Sequence, residues 1–209
     1  MTWEPRLPQE IEAESFRRIA QAVGRIPVPP PEWQVLRRLL HTSADLDYVN
    51  SVRFHPEAVA AGVAALKAGG RVFTDTRMLL AGISTGRLAR LGVKAACMLD
   101  EPGVADAARN QATTRSAAAV DLALPQAAGG IVAIGNAPTA LLRLLEVLAA
   151  GASAPALIIG LPVGWVNAAE AKEALTLQNY PYITALGLKG GSAAAASVVN
   201  ALAILALEA

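Results

Sequence analysis

The 209-residue chain predicts an α/β fold: a doubly wound, mainly parallel sheet with helices on both faces, three layers deep. Three observations predict it. From Ile131 onward, short apolar runs alternate with segments of helical periodicity, as a parallel sheet covered on both faces requires. Two of those runs end in the same device, Ile134-Gly135-Asn136-Ala137-Pro138 and Ile159-Gly160-Leu161-Pro162-Val163. Their glycines stand 25 residues apart, the length of one strand-helix unit with its loops. The composition, 54% hydrophobic and 17% charged, supplies a large core and argues against disorder.

Along the chain, Glu10–Val23 has helical spacing, with Ile11, Phe16, Ile19, Ala20 and Val23 able to share one face. Pro27, Pro29, Pro30 and Pro31 break it. Glu32–Leu40 reads as a second helix, apolar at Trp33, Val35, Leu36, Leu39 and Leu40, with His41 at its C-terminal end, where the helix dipole favours a cation. Pro56–Lys67 is helical and closes at Gly69-Gly70. Arg71–Thr74 is a strand closed by Asp75. Met78–Gly82 and Thr85–Leu91 are short helices, Val93–Leu99 a strand, and Pro102–Asn110 and Thr114–Leu124 helices. The regular alternation follows: strand Ile131–Ile134, helix Thr139–Leu148, strand Ala156–Ile159, helix Ala168–Leu175, strand Ile183–Leu186 and helix Ala193–Leu207. One domain over residues 1–209 is expected, with a helical segment at about residues 8–40 packed on it.

Charge and composition exclude several classes. Lys+Arg is 18 against Asp+Glu at 17, so no basic field gathers nucleic acid or anionic lipid, and aromatics at 4% leave few rings for base stacking. The longest apolar stretch, Ala193–Leu207, carries Ser197 and Asn200 and falls short of the roughly 20 residues that span a bilayer. Glu4, Glu10, Glu12 and Glu14 crowd a start with no early apolar core, so the expectation is a cytoplasmic protein. The single cysteine, Cys97, sits in an apolar run and reads as a buried strand residue. With one cysteine and two histidines, no metal site is expected.

Several groups could serve a ligand. His41-Thr42-Ser43-Ala44-Asp45 places an imidazole beside two hydroxyls and a carboxylate, neighbours that can fix a tautomer or stabilise the cation. His55-Pro56 reads instead as a turn leading into a helix. The Gly135-Asn136 and Gly160 turns follow strands, and ligands of open α/β sheets bind at such carboxyl ends. In Lys189-Gly190-Gly191-Ser192 the glycines can bring backbone N–H groups to an anion, or Ser192 can simply cap the last helix; on spacing alone the cap has the stronger claim. Thr113-Thr114-Arg115-Ser116 is either a carboxylate receptor or a cap with a surface arginine. Arg77, Arg87, Arg90, Arg109 and Arg115 cluster in the central stretch, suited to anions or to plain solvation. A Walker motif, Gly-x-Gly-x-x-Gly after a strand and Gly-x-Ser-x-Gly are all missing from the sequence. The residues together point to acid–base chemistry on an anionic small molecule.

The order and spacing of these pieces resemble the precorrin-8X methylmutase family of cobalamin biosynthesis. The resemblance runs through Ile11–Ser15, His41–Asp45, Asp75-Thr76-Arg77-Met78 with Gly82-Ile83, and Thr114-Arg115-Ser116. It continues through Ile134–Leu141, Pro162-Val163-Gly164-Trp165-Val166, Glu170-Ala171-Lys172-Glu173 and Lys189-Gly190-Gly191-Ser192. It implies a homodimer of doubly wound subunits. It implies an intramolecular methyl migration from C-11 to C-12 that turns precorrin-8X into hydrogenobyrinate, or the cobalt-loaded substrate into its cobalt product, with no cofactor or external methyl donor. On this resemblance His41 protonates the macrocycle and Asp45 orients or stabilises it. Thr42 and Ser43 bond the ligand, and Arg115 is the first carboxylate clamp. Ser15, Arg77, Asn136, Lys189 and Ser192 are further substrate contacts. The chain departs from the commoner family pattern at Ser43, Trp165, Asn167, Ala171 and Leu188, the last removing one possible carboxylate contact. A corrinoid carrier without chemistry and a nucleotide-binding module are the rival readings.

Overall fold

Successive strand residues point to opposite faces of one sheet, and both faces are buried. The computed structural model describes residues 7–208, so Glu4 and the other terminal positions lie outside it. Helices α1 (Pro8–Val23) and α2 (Pro30–Ser43) open the fold, followed by the single turn α3 (Tyr48–Ser51), strand β1 (Val52–Phe54) and helix α4 (Ala58–Lys67). Strand β2 (Val72–Thr74), helices α5 (Arg77–Gly82) and α6 (Thr85–Arg90) and strand β3 (Ala95–Cys97) come next. Helices α7 (Val104–Asn110) and α8 (Arg115–Ala123) then lead to the repeating half: β4 (Ile131–Ile134), α9 (Pro138–Ala149), β5 (Leu157–Gly160), α10 (Ala168–Thr176), β6 (Tyr182–Ala185) and α11 (Ser192–Glu208).

The six strands lie in the order β1-β6-β5-β4-β2-β3. All pairs are parallel except β1 with β6, where Val52 faces Ala185 and Phe54 faces Ile183. The three-layer, mainly parallel expectation therefore holds. Ile131, Ala133, Leu157, Ile159 and Ile183 enter one core with α2, α4 and α11. Their neighbours Val132, Ile134, Ile158 and Tyr182 enter the other, with α8, α9 and α10. This two-sided burial is why the strands read as continuous apolar runs. Helix α11 is apolar nearly all round and buries Val198, Val199, Leu202 and Ala203 in the first core, as a helix at a centre should. Gly62 lets α4 approach: a Cβ there would stand 2.8 Å from Leu157 and 2.9 Å from Leu202.

Four elements differ from the sequence expectation. The strand at Val93–Leu99 is confined to Ala95–Cys97, because Met98–Asp100 turns into a 3₁₀ helix that buries Met98. Strand β1 and the turn α3 have no counterpart in the sequence reading. The second helix runs past Leu40, so His41, Thr42 and Ser43 form its last turn. Cys97 is buried in β3, as expected, and burial pushes its thiol pKa up.

Candidate functional site

The chain leaves β2 for β3 on one side, and β4 then returns to pair with β2 on the other. The winding thus reverses between the carboxyl ends of β2 and β4, the place where open α/β sheets form their crevice. The connections after β2, β4, β5 and β6 share that rim. So does the segment between α2 and β1, because β1 runs antiparallel and Leu186 N–H donates to Ser51.

The rim is headed by the last turn of α2. His41, Thr42 and Ser43 are exposed there, at the helix end that favours a cationic ring. Phe16 of α1 meets the His41 ring edge-on, with centroids 5.5 Å apart. Arg37 and Arg38 lie over the same phenyl ring at 4.5 and 5.1 Å, and Arg38 pairs with Glu12. The imidazole therefore rests against Phe16 on one side, where α1 meets α2, and stays open to solvent on the other. Ser43 Oγ donates to the Leu39 carbonyl at 2.8 Å and accepts the Asp45 N–H. Ala44 closes the helix with φ at +52°, a left-handed cap made by a residue other than glycine.

Asp45 does not serve His41 in this structure. Its carboxylate accepts from Lys189 Nζ at 2.6 Å and from the Asp47 N–H at 3.0 Å. Lys189 also reaches Asp47, at 2.5 Å. The hydrogen bond from Lys189 holds the Asp45 carboxyl below its ordinary value, and the two aspartates raise the Lys189 ammonium above its own. The pair ties the turn before α11 to the segment that follows His41.

At the switch point, Asp75 fills the turn at the head of α9 from inside. Its carboxylate accepts the backbone N–H groups of Gly135, Asn136 and Ala137 at 3.0, 2.8 and 2.8 Å. Asp75 is buried to 1% exposure; burial raises its pKa and the three amides pull it back. The concavity that could have taken a phosphate or a substrate carboxylate is already occupied by an internal anion. Asn136 consequently offers only its exposed side chain to a ligand. The nucleotide-binding reading, which rested on the glycines of this turn and of Gly190-Gly191, loses its first support here.

Thr76 caps α5 by accepting the Leu79 N–H, and its hydroxyl lies 3.0 Å from that of Ser192, the buried first residue of α11. The connections after β5 and β6 are laced together: Gly191 N–H donates to Leu161, Gly164 N–H to Leu188, and Lys172 Nζ to the Lys189 carbonyl at 2.6 Å. Gly190 is required in this seam, since a Cβ would meet the Pro162 carbonyl oxygen at 2.6 Å.

Other expected site residues stand further out. Arg77 pairs with Asp100 beyond β3, and Arg109 pairs with Asp106. Thr114 caps α8 and its hydroxyl lies 2.9 Å from that of Thr139, which leaves Arg115 exposed at the head of α8 with no ion pair among the described residues. Ser15 Oγ donates within α1, to Ile11. A hollow of about 450 Å³ is lined by Gln111, Thr113, Thr139 and Arg143, whereas His41 opens directly to solvent. His55 is the turn residue the sequence suggested, its Nδ1 accepting the Glu57 N–H. The sequence analysis assigns no ligand role to Asp47, Asp75, Thr76, Lys172 or Phe16, whose contacts hold this region together; Asp75-Thr76 and Lys172 do lie in segments that carry the resemblance. Among the described residues no cluster suited to a metal ion is present, and no helix is long and apolar enough to cross a membrane.

Residues 10–205 match the family described as precorrin-8X methylmutase. The chain belongs to that family. It is 40% identical over 199 residues to the cobalt-precorrin-8 methylmutase of Priestia megaterium, covering 95% of this chain and 88% of that one. Against the precorrin-8X methylmutase of Pseudomonas aeruginosa it is 43% identical, covering 93% and 94%. The solved precorrin-8X methylmutase of Thermus thermophilus superposes with a TM-score of 0.87 at 42% identity, over 95% of this chain and 98% of that one. The methylmutase assignment makes this protein an isomerase, an intramolecular transferase of cobalamin biosynthesis.

Proposed function

We propose that this chain moves a methyl group from C-11 to C-12 of precorrin-8X, giving hydrogenobyrinate, with the His41 imidazolium as proton donor. The observation that carries the reading is the placement of His41. It stands exposed on the last turn of α2, on the rim where the connections after β2, β4, β5 and β6 lie, the rim at which open α/β sheets hold their ligands. Protonation makes the conjugated ring electron-poor and eases migration of the methyl with its bonding pair. Substrate and product are isomers, so the proton taken up is lost again and the imidazole is restored. General acid catalysis of this kind contributes about 10²–10⁴ in rate. Exposed Thr42, Arg115 and Asn136 are the groups nearest to hand for the acetate and propionate arms, whereas Ser15, Ser43, Arg77, Lys189 and Ser192 would have to exchange their present partners to bond them.

The test is His41→Ala, with folding followed by circular dichroism. Turnover is expected to fall at least 10²-fold while hydrogenobyrinate still binds. Undiminished turnover in a folded variant would sink the acid role, and a wild-type protein that binds product without turnover would be a carrier. The relatives named as cobalt-precorrin-8 methylmutases favour a second reading, the cobalt-loaded substrate. Rates on metal-free and cobalt-loaded precorrin-8 decide between them.

The reading includes a cytoplasmic homodimer. Val163, Trp165, Val166 and Leu188 expose apolar surface beside the rim, Trp165 at 88%, and a second subunit would cover it. Sedimentation at micromolar concentration is expected to give twice the mass of the chain.

A further inference from the structure

Lys172 is the one lysine of the described chain with no exposed surface, and it lies on α10, outside the residues assigned to the reaction. A buried lysine is ordinarily neutralised by a carboxylate. Here no acid is paired with it among the described residues, and its ammonium donates to one partner, the main-chain carbonyl of Lys189, at 2.6 Å. The same residue, Lys189, turns its own ammonium the other way, between Asp45 and Asp47. Asp45 is four positions from His41, and its N–H is bonded to Ser43 Oγ in the last turn of α2. A continuous chain of contacts therefore runs from the interior of α10, through the backbone and then the side chain of Lys189, to the turn that follows the imidazole. The seam around it is tied twice over: Gly191 and Gly164 cross-link the two connections, and Gly190 is packed against main chain of the other.

We propose that Lys172 is a positioning residue for the reaction, fixing the Lys189 turn from below so that the Lys189 ammonium braces the Asp45–Asp47 segment beside His41. The physical case is one of cost. Desolvation alone pulls the Lys172 ammonium down to a pKa of about 8, so its charge is carried at a penalty to folding. A methionine of similar length would fill the same volume without that penalty. The lysine does for the turn what methionine cannot: it donates a charge-assisted bond to a carbonyl at a fixed point.

This inference rests on the reading of the rim as the substrate site, and its test is built to fail separately. Lys172→Met, Lys189→Met and the double variant are compared for thermal midpoint, KM and kcat on precorrin-8. Lys172→Met is expected to melt at or above the wild-type temperature and to raise KM about tenfold, the value of one charge-assisted bond. In the Lys189→Met background the same change should raise KM less than twofold, because both act through one brace. An unfolded Lys172→Met, an unchanged KM, or effects that multiply across the double variant would each overturn the proposal. A further readout needs no turnover: the Lys189 ammonium, titrated by nitrogen-15 NMR, should move down toward an ordinary lysine in Lys172→Met. If it does not move, the proposal fails; if it moves in a protein that never turns over precorrin-8, the brace stands and the reaction assignment is what fails.

Discussion

The Asp75 carboxylate, 60 residues before Gly135 in the chain, accepts that glycine's N–H at 3.0 Å across the switch point of the sheet. With the amides of Asn136 and Ala137 it binds the end of β2 to the start of α9. Asp75→Ala is expected to cost about 3 kcal/mol in urea unfolding, because three amide donors lose a buried acceptor. Added sulfate should stabilise this variant more than the wild type, since an external anion can then enter the vacated turn. Equal stabilisation of both proteins would refute that account of the turn.

The pH dependence of stability should carry the signature of Lys172. Its folded pKa is about 8 and its ordinary value 10.5, so between these pH values the unfolded chain holds a proton that the folded one has released. Raising the pH through that window therefore favours the folded state, by about 3 kcal/mol in total. Below pH 8 the full penalty is present. Chemical denaturation from pH 7.5 to 10.5 should show this rise in the wild type and its disappearance in Lys172→Met.

Asn200, which with Ser197 interrupts the apolar run of α11, clamps the α5–α6 junction: its Oδ1 accepts the Ser84 N–H at 2.7 Å and its Nδ2 donates to the Gly82 carbonyl at 2.9 Å. Asn200→Leu is expected to destabilise by about 2 kcal/mol, since two main-chain groups lose partners. Hydrogen exchange at the Ser84 amide should quicken at least tenfold. Protection that survives the substitution would show that the clamp is not holding the junction.

Two glycines should respond in opposite directions to alanine. Gly190→Ala forces a Cβ onto the Leu161 and Pro162 carbonyl oxygens and is expected to lose about 2 kcal/mol together with substrate affinity. Gly86→Ala, in α6, meets nothing within 4 Å and is expected to gain about 0.5–1 kcal/mol. Thermal melts of the two variants, side by side, check both directions.

The repeating half of the fold is legible because β4, β5 and β6 are buried on both faces, so that β4 and β5 write unbroken apolar runs and β6 is interrupted only by the buried Thr184. Strand β1 is not, since Val52-Arg53-Phe54 is three residues long, carries an exposed arginine, and is paired only by β6, far along the chain. The site divides in the same way. His41 at the end of a helix follows from local periodicity. The partner of Asp45 does not: the imidazole is its neighbour in sequence, and the ammonium that holds it lies 144 residues away. Asp75 reads locally as the end of a strand, because nothing near it in the sequence shows that its carboxylate answers three amides from another turn. Long-range polar pairing leaves no periodic trace in a sequence.

Ala44 lets the chain turn back from α2 with a methyl group where glycine would be easier. The left-handed geometry costs alanine about 1 kcal/mol, and glycine would forfeit a similar amount through the wider freedom of its unfolded chain. Folding is nearly indifferent between the two, yet the bend is not: a methyl-bearing corner has fewer ways to swing, so the loop that leaves the imidazole departs on a stiff heading rather than a swivel.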